Sequence, residues 1–203
     1  MRQDIFVTAT NTNVGKTYAT LYMMEVYAKK GYKVGAYKPI ETGVDQIPLD
    51  GLKLFEKSKE LNDKFNNLTI DDIVTYKFKL PAAPYVASKG LKLNLDKIKQ
   101  NFKKLQQYCD LLFVEGAGGL LVPINLDFFM IDLAKFLNLY TILITPSRLG
   151  SINDTLLSLE ILKKYDISHE WLINLHEDLD TFSYITEPFY KNYFNSYKFL
   201  KDI

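Results

Sequence analysis

Ile5-Phe-Val-Thr-Ala-Thr-Asn-Thr-Asn-Val-Gly-Lys-Thr17 is the stretch whose reading decides the fold. The apolar run Ile5 to Val7 predicts a strand, the small polar residues after it a turn, and the segment beyond Thr17 a helix. Strand, turn and helix in that order supply what a triphosphate needs. Backbone N–H groups of the turn and first helical turn, from Asn13 and Val14 through Gly15 to Tyr18, point at the phosphates, where the helix dipole also favours negative charge. Gly15 lets the backbone come close, Lys16 reaches the β- and γ-phosphates, and the Thr17 hydroxyl can hold Mg²⁺. The glycine usually found five positions before the Gly-Lys pair is Thr10 here, so the loop is a variant. A Gly-Lys-Thr triplet alone fits a surface turn; its strand and helix neighbours select the nucleotide site.

Beyond this turn, Leu21, Met24 and Ala28 keep helical spacing from Tyr18 to Lys30, and Gly31 ends the helix. Val34-Gly-Ala-Tyr-Lys38 reads as a short buried strand stopped by Pro39. The polar loop from Ile40 to Asp50 follows. Ligands collect at the carboxyl ends of parallel strands, so Lys38, Thr42 and Asp50 are expected to face the phosphates. Gly51 to Leu61 looks helical, residues 62–93 show no clear period, and Asn94 or Asp96 can cap a helix to about Tyr108. Leu111-Leu-Phe-Val has the unbroken apolar character of a strand covered on both faces. It ends in Glu115-Gly-Ala-Gly-Gly119, where a carboxylate can bind Mg²⁺ and Gly116, Ala117 and Gly118 let backbone approach the nucleotide. A helix over 130–137 and a strand over Thr141 to Thr145 come next. Ser151 and Asp154 form a capping-box pattern for a helix to about Tyr165, and Trp171 to Asn174 is one more strand. The aromatic tail is expected to pack a terminal helix and a last short strand. Strands alternating with helices predict an α/β fold: a doubly wound, mostly parallel sheet with helices on both faces, of the P-loop NTPase kind.

Length and composition bound the rest. A chain of 203 residues suits a single domain, 1–203. One cysteine, Cys109, excludes an internal disulfide and fits a reducing compartment. Met1-Arg2-Gln3-Asp4 runs straight into a strand too short for a signal peptide, and no apolar run reaches the roughly 20 residues of a membrane span. Charges of 25 basic against 24 acidic argue against nucleic acid as the partner. The expected location is cytoplasmic. His169 and His176 are isolated and read as loop or surface residues, and Cys109 as a small core residue.

With these pieces in order, the chain resembles the dethiobiotin synthetase family over residues 4 to 175. The resemblance rests on Phe6-Val-Thr with Thr10-x-Thr12-x-Val-Gly-Lys-Thr17, Tyr37-Lys-Pro-Ile with Thr42-Gly43, Val114-Glu-Gly-Ala-Gly-Gly119, and Leu149-Gly-x-Ile-Asn153. It implies Mg²⁺ and ATP, with 7,8-diaminopelargonic acid and CO₂ as substrates, and a homodimer whose substrate lies across the interface. It implies further that Lys38 holds a carbamate and its mixed anhydride, that Lys16 neutralises the transferring phosphoryl group, and that Thr17, Asp50 and Glu115 hold Mg²⁺. By the same resemblance Thr12 and Thr42 face the diamine, and Gly150 and Asn153 hold the remote carboxylate of a substrate in the partner subunit. Tyr184 caps that carboxylate, Pro81 to Tyr85 form a substrate-side loop, and Asn174 reads adenine.

The chain also departs from the family's pattern. Ala9 replaces a usual glycine, so the turn is expected to adopt unusual backbone angles less readily. Asn11 and Asn13 replace acidic residues, and Tyr85 a histidine. The main rival reading, a partitioning or septum-positioning ATPase, expects a Lys-Gly-Gly-x-Gly-Lys loop, but Asn11-Thr-Asn stands in those positions. A small-molecule kinase expects an arginine-rich lid, which the sequence lacks. Leu175-His-Glu177 lacks the family's acidic neighbour and proline-rich turn after Asn174. Weak discrimination among nucleoside triphosphates is therefore expected, and turnover with ATP, GTP and CTP should be similar; a strong ATP preference refutes this.

Overall fold

The computed structural model describes residues 3–176 and 179–203; Met1, Arg2 and Glu177, named in the sequence reading, lie outside the described residues. In chain order the elements are β1 (Ile5–Ala9), α1 (Lys16–Lys29), β2 (Val34–Thr42), α2 (Leu49–Leu61), α3 (Ile70–Ile73), β3 (Val74–Phe78), α4 (Pro84–Ala87), α5 (Leu95–Gln106) and β4 (Leu111–Glu115). They continue as β5 (Pro123–Asn125), β6 (Phe128–Phe129), α6 (Met130–Phe136), β7 (Tyr140–Pro146), α7 (Ser151–Lys164), β8 (His169–Asn174), α8 (Leu179–Ile185) and α9 (Glu187–Tyr193).

Six strands form one sheet in the order β3-β2-β4-β1-β7-β8, every pair parallel, while β5 and β6 form a small antiparallel hairpin. The period of two in β1 divides the core. Ile5, Val7 and Ala9 pack with Met23 and Met24 of α1 and Leu54 of α2. Phe6 joins the opposite cluster, with Ile98, Phe102 and Leu105 of α5 and Leu133 of α6. Both faces are therefore covered, which is why β1 and β4 are buried throughout. The doubly wound fold expected from the alternation of elements is present.

Several local expectations need correction. Pro39 does not stop β2. The strand leaves β4 after Tyr37–Val114 and pairs with β3, its register passing from Lys38–Val74 to Ile40–Tyr76 and skipping Pro39. The missing N–H falls where no ladder bond is required. Ser151 does not cap α7: Gly150 holds the cap position with φ 91, and Ser151 is buried inside the first turn. Ala9 stands in an extended strand opposite Ile144, whereas the left-handed positions of the phosphate turn fall on Asn13 (φ 61) and Gly15 (φ 87). Asparagine and glycine are the types that adopt them readily, so alanine at position 9 does not burden the turn. The tail packs as expected around Phe182 and Tyr190. It does so with two short helices, and Phe199 makes an isolated parallel bridge to Ile173 in place of a full strand.

Residues 62–93 hold the edge strand β3, three short helical pieces and a buried anchor. Phe65 is fully buried, and Asn62 donates from Nδ2 to the Val34 carbonyl at 3.0 Å and the Tyr108 carbonyl at 2.9 Å. Phe65 occupies the space above Gly35 in β2: a Cβ there would meet its Cζ at 2.1 Å. Gly35→Ala should lower stability by about 1–3 kcal/mol through overpacking, read as a reduced denaturant midpoint with an unchanged slope.

Candidate active site

The tips of β1, β2 and β4 border one cleft of about 280 Å³. Its walls are Thr12, Asn13 and Gly15 to Tyr18 from the phosphate turn, Lys38, Glu41 and Thr42 from β2, Asp50 from α2, and Ala117 and Gly118 from the loop after β4. Glu115 lies behind this wall with no exposure and organises it. Its Oε1 accepts from Lys38 Nζ at 2.6 Å and from Thr17 Oγ1 at 3.0 Å. Thr20 Oγ1 stands 2.9 Å from both Glu115 Oε2 and the Lys16 carbonyl, and its single proton serves one of them at a time. Lys38 Nζ also donates to the Gly116 carbonyl at 2.9 Å. Three elements are tied together through one carboxylate.

Charge in the cleft is set by burial and by neighbours. Burial alone would raise the Glu115 carboxyl, but Lys38, Lys16 and the Thr20 hydroxyl together hold it below the usual carboxylate range. Burial would likewise lower Lys38, but Glu115, Asp50 and Glu41 keep it above the usual lysine value. Lys16 behaves differently. Burial, followed by repulsion from Lys38, outweighs attraction to Glu115 and Asp50 and lowers its pKa to about 8.

Two further spaces adjoin this cleft. One of about 320 Å³ shares Thr12, Thr42, Ala117 and Gly118 with it and extends along Pro81 to Pro84 and Val122. The other, about 80 Å³, lies where Tyr18 and Tyr22 of α1 meet Ile173 to Leu175 and Phe199 to Lys201. Asn174 lines it and donates from Nδ2 to the Val14 carbonyl at 2.9 Å. That bond brings Asn174 so near that a Cβ on Gly15 would meet Nδ2 at 2.3 Å. Gly15 is thus required by both its backbone angle and its neighbour.

Most residues singled out in the sequence converge here. Gly150 and Asn153 are exposed at the start of α7, Tyr184 is exposed on α8, and none of the three lines any of these cavities. Two buried residues were missed. Thr20, four positions after Lys16, lies on the same helical face and could have been found by that spacing. Glu41 sits beside Thr42 in the strand, and its carboxylate accepts from the N–H groups of Asp50 (3.0 Å) and Gly51 (2.8 Å). Burial raises the Glu41 carboxyl, against the two N–H groups and Lys38, which lower it.

Among the described residues no three His, Cys, Asp or Glu side chains gather as a metal cage. Mg²⁺ does not need one, since it commonly takes one or two carboxylates and completes its shell with phosphates and water. The hard oxygen donors of Thr17, Glu115 and Asp50 around this cleft fit that ion.

Residues 3–173 match the family described as AAA domain. An ATP-dependent dethiobiotin synthetase of Sulfurovum sp. is 50% identical, over 92% of this chain and 89% of its own. The chain belongs to the ATP-dependent dethiobiotin synthetase family. Members from Wolinella succinogenes (37% identical over 93% of this chain and 88% of theirs) and Methanocaldococcus jannaschii (37%, 91% and 86%) match over similar spans. Solved structures with the same fold include the MinC:MinD cell division protein complex of Aquifex aeolicus (TM-score 0.58, 13% identity, 97% of this chain and 79% of that one). Another is a plasmid partition protein of Borrelia burgdorferi bound to AMPPNP (0.59, 12%, 98% and 83%). At such identities the likeness shows the fold alone.

The lowered pKa of Lys16 makes nucleotide binding depend on pH. A triphosphate favours the charged amine and so raises its pKa on binding. Affinity is therefore full below the free value of about 8 and falls as pH rises through it, by at most about tenfold per unit. Calorimetry in two buffers of different ionisation heat should detect proton uptake on binding near pH 8 and little near pH 6.5.

Proposed function

We propose that this chain is a Mg-ATP-dependent dethiobiotin synthetase that carboxylates 7,8-diaminopelargonic acid and closes its ring. One amine attacks CO₂ and loses a proton to give a carbamate. A carbamate oxygen then attacks the γ-phosphorus, the bond to the β-phosphate oxygen breaks, and ADP leaves. The second amine attacks the carbamic carbon, the C–O bond to phosphate breaks, and phosphate and a proton depart.

A carbamate is a feeble nucleophile and every partner in its phosphorylation is an anion, so fixed positive charge in a water-poor site is the main catalytic requirement. The observation that carries the reading is a second buried lysine. Lys38, 3% exposed, lines the phosphate cleft, which shares Thr12, Thr42, Ala117 and Gly118 with the space along Pro81 to Pro84. On this reading Lys16 serves the phosphates and Lys38 the carbamate. Thr42, shared by both cavities, is suited to hydrogen-bond the diamine or carbamate, and Thr12 lies across from it. Mg²⁺, held by Thr17, Asp50 and Glu115, would offset negative charge on the triphosphate.

The backbone of Gly116 to Gly118 would accompany the nucleotide, and Asn174 would offer its carboxamide oxygen to an amino group on the base. Gly150 and Asn153 are exposed in the single chain, beside the exposed Leu149. This agrees with a homodimer in which they hold the carboxylate of a substrate lying in the partner subunit. Tyr184, on the outer face of α8, belongs to the same proposal.

Phosphate release should require bicarbonate and the diamine together; release with neither would return the chain to a switch ATPase. Lys38→Ala should bind Mg-nucleotide almost normally yet lose at least roughly 100-fold in ring closure, the scale of one removed charge-stabilising donor. Incorporation of labelled bicarbonate measures it, and near-normal turnover would remove Lys38 from its role.

A further inference from the structure

Glu41 is 7% exposed at the end of β2 and lines the phosphate cleft, although nothing in the reaction asks for another carboxylate beside a triphosphate. We propose that Glu41 is a positioning residue, which fixes Asp50 against the cleft by gripping the first turn of α2 and so sets how tightly Mg²⁺ is held with the nucleotide. The inference rests on the reading of Asp50 as a metal-bearing group.

The local chain explains why such a grip is needed. α2 begins after Pro48 and receives no capping bond from the side chain at that position. Its first N–H groups need acceptors, and the segment before it, from Gly43 to Ile47, is largely exposed. Glu41 supplies the acceptors from nine residues upstream, one oxygen to Asp50 N–H and the other to Gly51 N–H. A negative charge there also suits the helix N-terminus. Residue 51 is suited to the approach: a Cβ on Gly51 would meet Val74 Cγ2 at 2.2 Å and Glu41 Oε2 at 3.1 Å. Among the described residues the Asp50 carboxylate makes no hydrogen bond or ion pair of its own. Its place is therefore set by its backbone, and its backbone is held by Glu41. Asp50 and Lys38 are in turn the charges that Glu41 feels, so the strand tip and helix start act as one unit. A group that orients a metal ligand commonly changes metal affinity 10- to 100-fold when removed.

The test is a Mg²⁺ titration of AMPPNP binding, followed by calorimetry on the full chain. It compares wild type, Glu41→Ala, Glu41→Gln, Asp50→Asn and the double variant Glu41→Ala/Asp50→Asn. Glu41→Ala should raise the half-saturating Mg²⁺ concentration roughly tenfold and leave metal-free nucleotide affinity unchanged. Glu41→Gln, isosteric and keeping one acceptor, should show a smaller rise in the same direction, and it carries the test should Glu41→Ala not fold. The double variant should be no worse than the larger single one, because both act at one point. Wild-type Mg²⁺ response in the two Glu41 variants, losses that sum in the double variant, or an equal loss without metal would each overturn the proposal. An unchanged response in Asp50→Asn would overturn it together with the role of Asp50. The titration reads binding, so its failure is distinct from failure of the ring-closure assay.

Discussion

The Glu115 carboxylate is the constraint on which the site depends. Placing an ion where water cannot reach it costs several kcal/mol, and only close, well-directed partners offset that. Glu115 has them in Lys38, Thr17 and Thr20, from β2 and α1, while it rides on β4. Such a pair is weak support for stability as such. What it does is fix geometry, since a misplaced lysine or helix would leave a charge buried without compensation. The positions of Lys16 and Thr17 relative to Lys38 thus follow from one fully buried residue behind the cleft wall.

Close approach of backbone is the second constraint, and small residues stand where it operates. Gly119 lets the loop after β4 come against the phosphate turn: a Cβ there would meet the Thr10 carbonyl oxygen at 3.1 Å. Gly116 donates to the Val7 carbonyl at 3.0 Å while its own carbonyl receives Lys38. Two strand tips are thereby bound edge to edge, and Gly15, Ala117 and Gly118 bring backbone to the wall of the cleft. Polar backbone in a confined space is a suitable lining for a polyanion whose charge shifts during reaction, because its dipoles are already oriented.

The sheet was legible because its strands are buried on both faces and read as unbroken apolar runs between glycine-rich turns. β3 was not, although Val74, Tyr76 and Phe78 do alternate, because an edge strand that is half exposed gives only a short, diluted pattern. Pro39 misled for a related reason: a rule about ladder bonds cannot anticipate a strand that changes neighbours at that residue. In the site, residues with motif spacing were found and those defined by tertiary contact were not. Lys16, Thr17, Lys38 and Glu115 sit at strand tips or in the phosphate turn, where order along the chain predicts place. Glu41 acts on a helix nine residues later; Asn174 was named as the reader of adenine, but its bond across 160 positions to the phosphate turn was not foreseen. Those partnerships exist only once the sheet has closed.

The fold is shared with cell-division and plasmid-partition proteins, so the scaffold alone does not select the chemistry. A phosphate turn, a helix dipole and a carboxylate at a neighbouring strand tip serve nucleotide handling in general. Beside that machinery this chain has a lysine on β2 that lines the cleft, and a space walled by the Pro81 to Pro84 segment that shares Thr12 and Thr42 with it. Lys38 needs Glu115 to stay charged while buried, and Glu115 is already required behind the phosphates. The added cation therefore costs less than it would elsewhere, because its counter-charge was in place. On the proposed reading, a lysine paired with the carboxylate that also holds Thr17 lets the site direct a phosphoryl group onto a weak nucleophile.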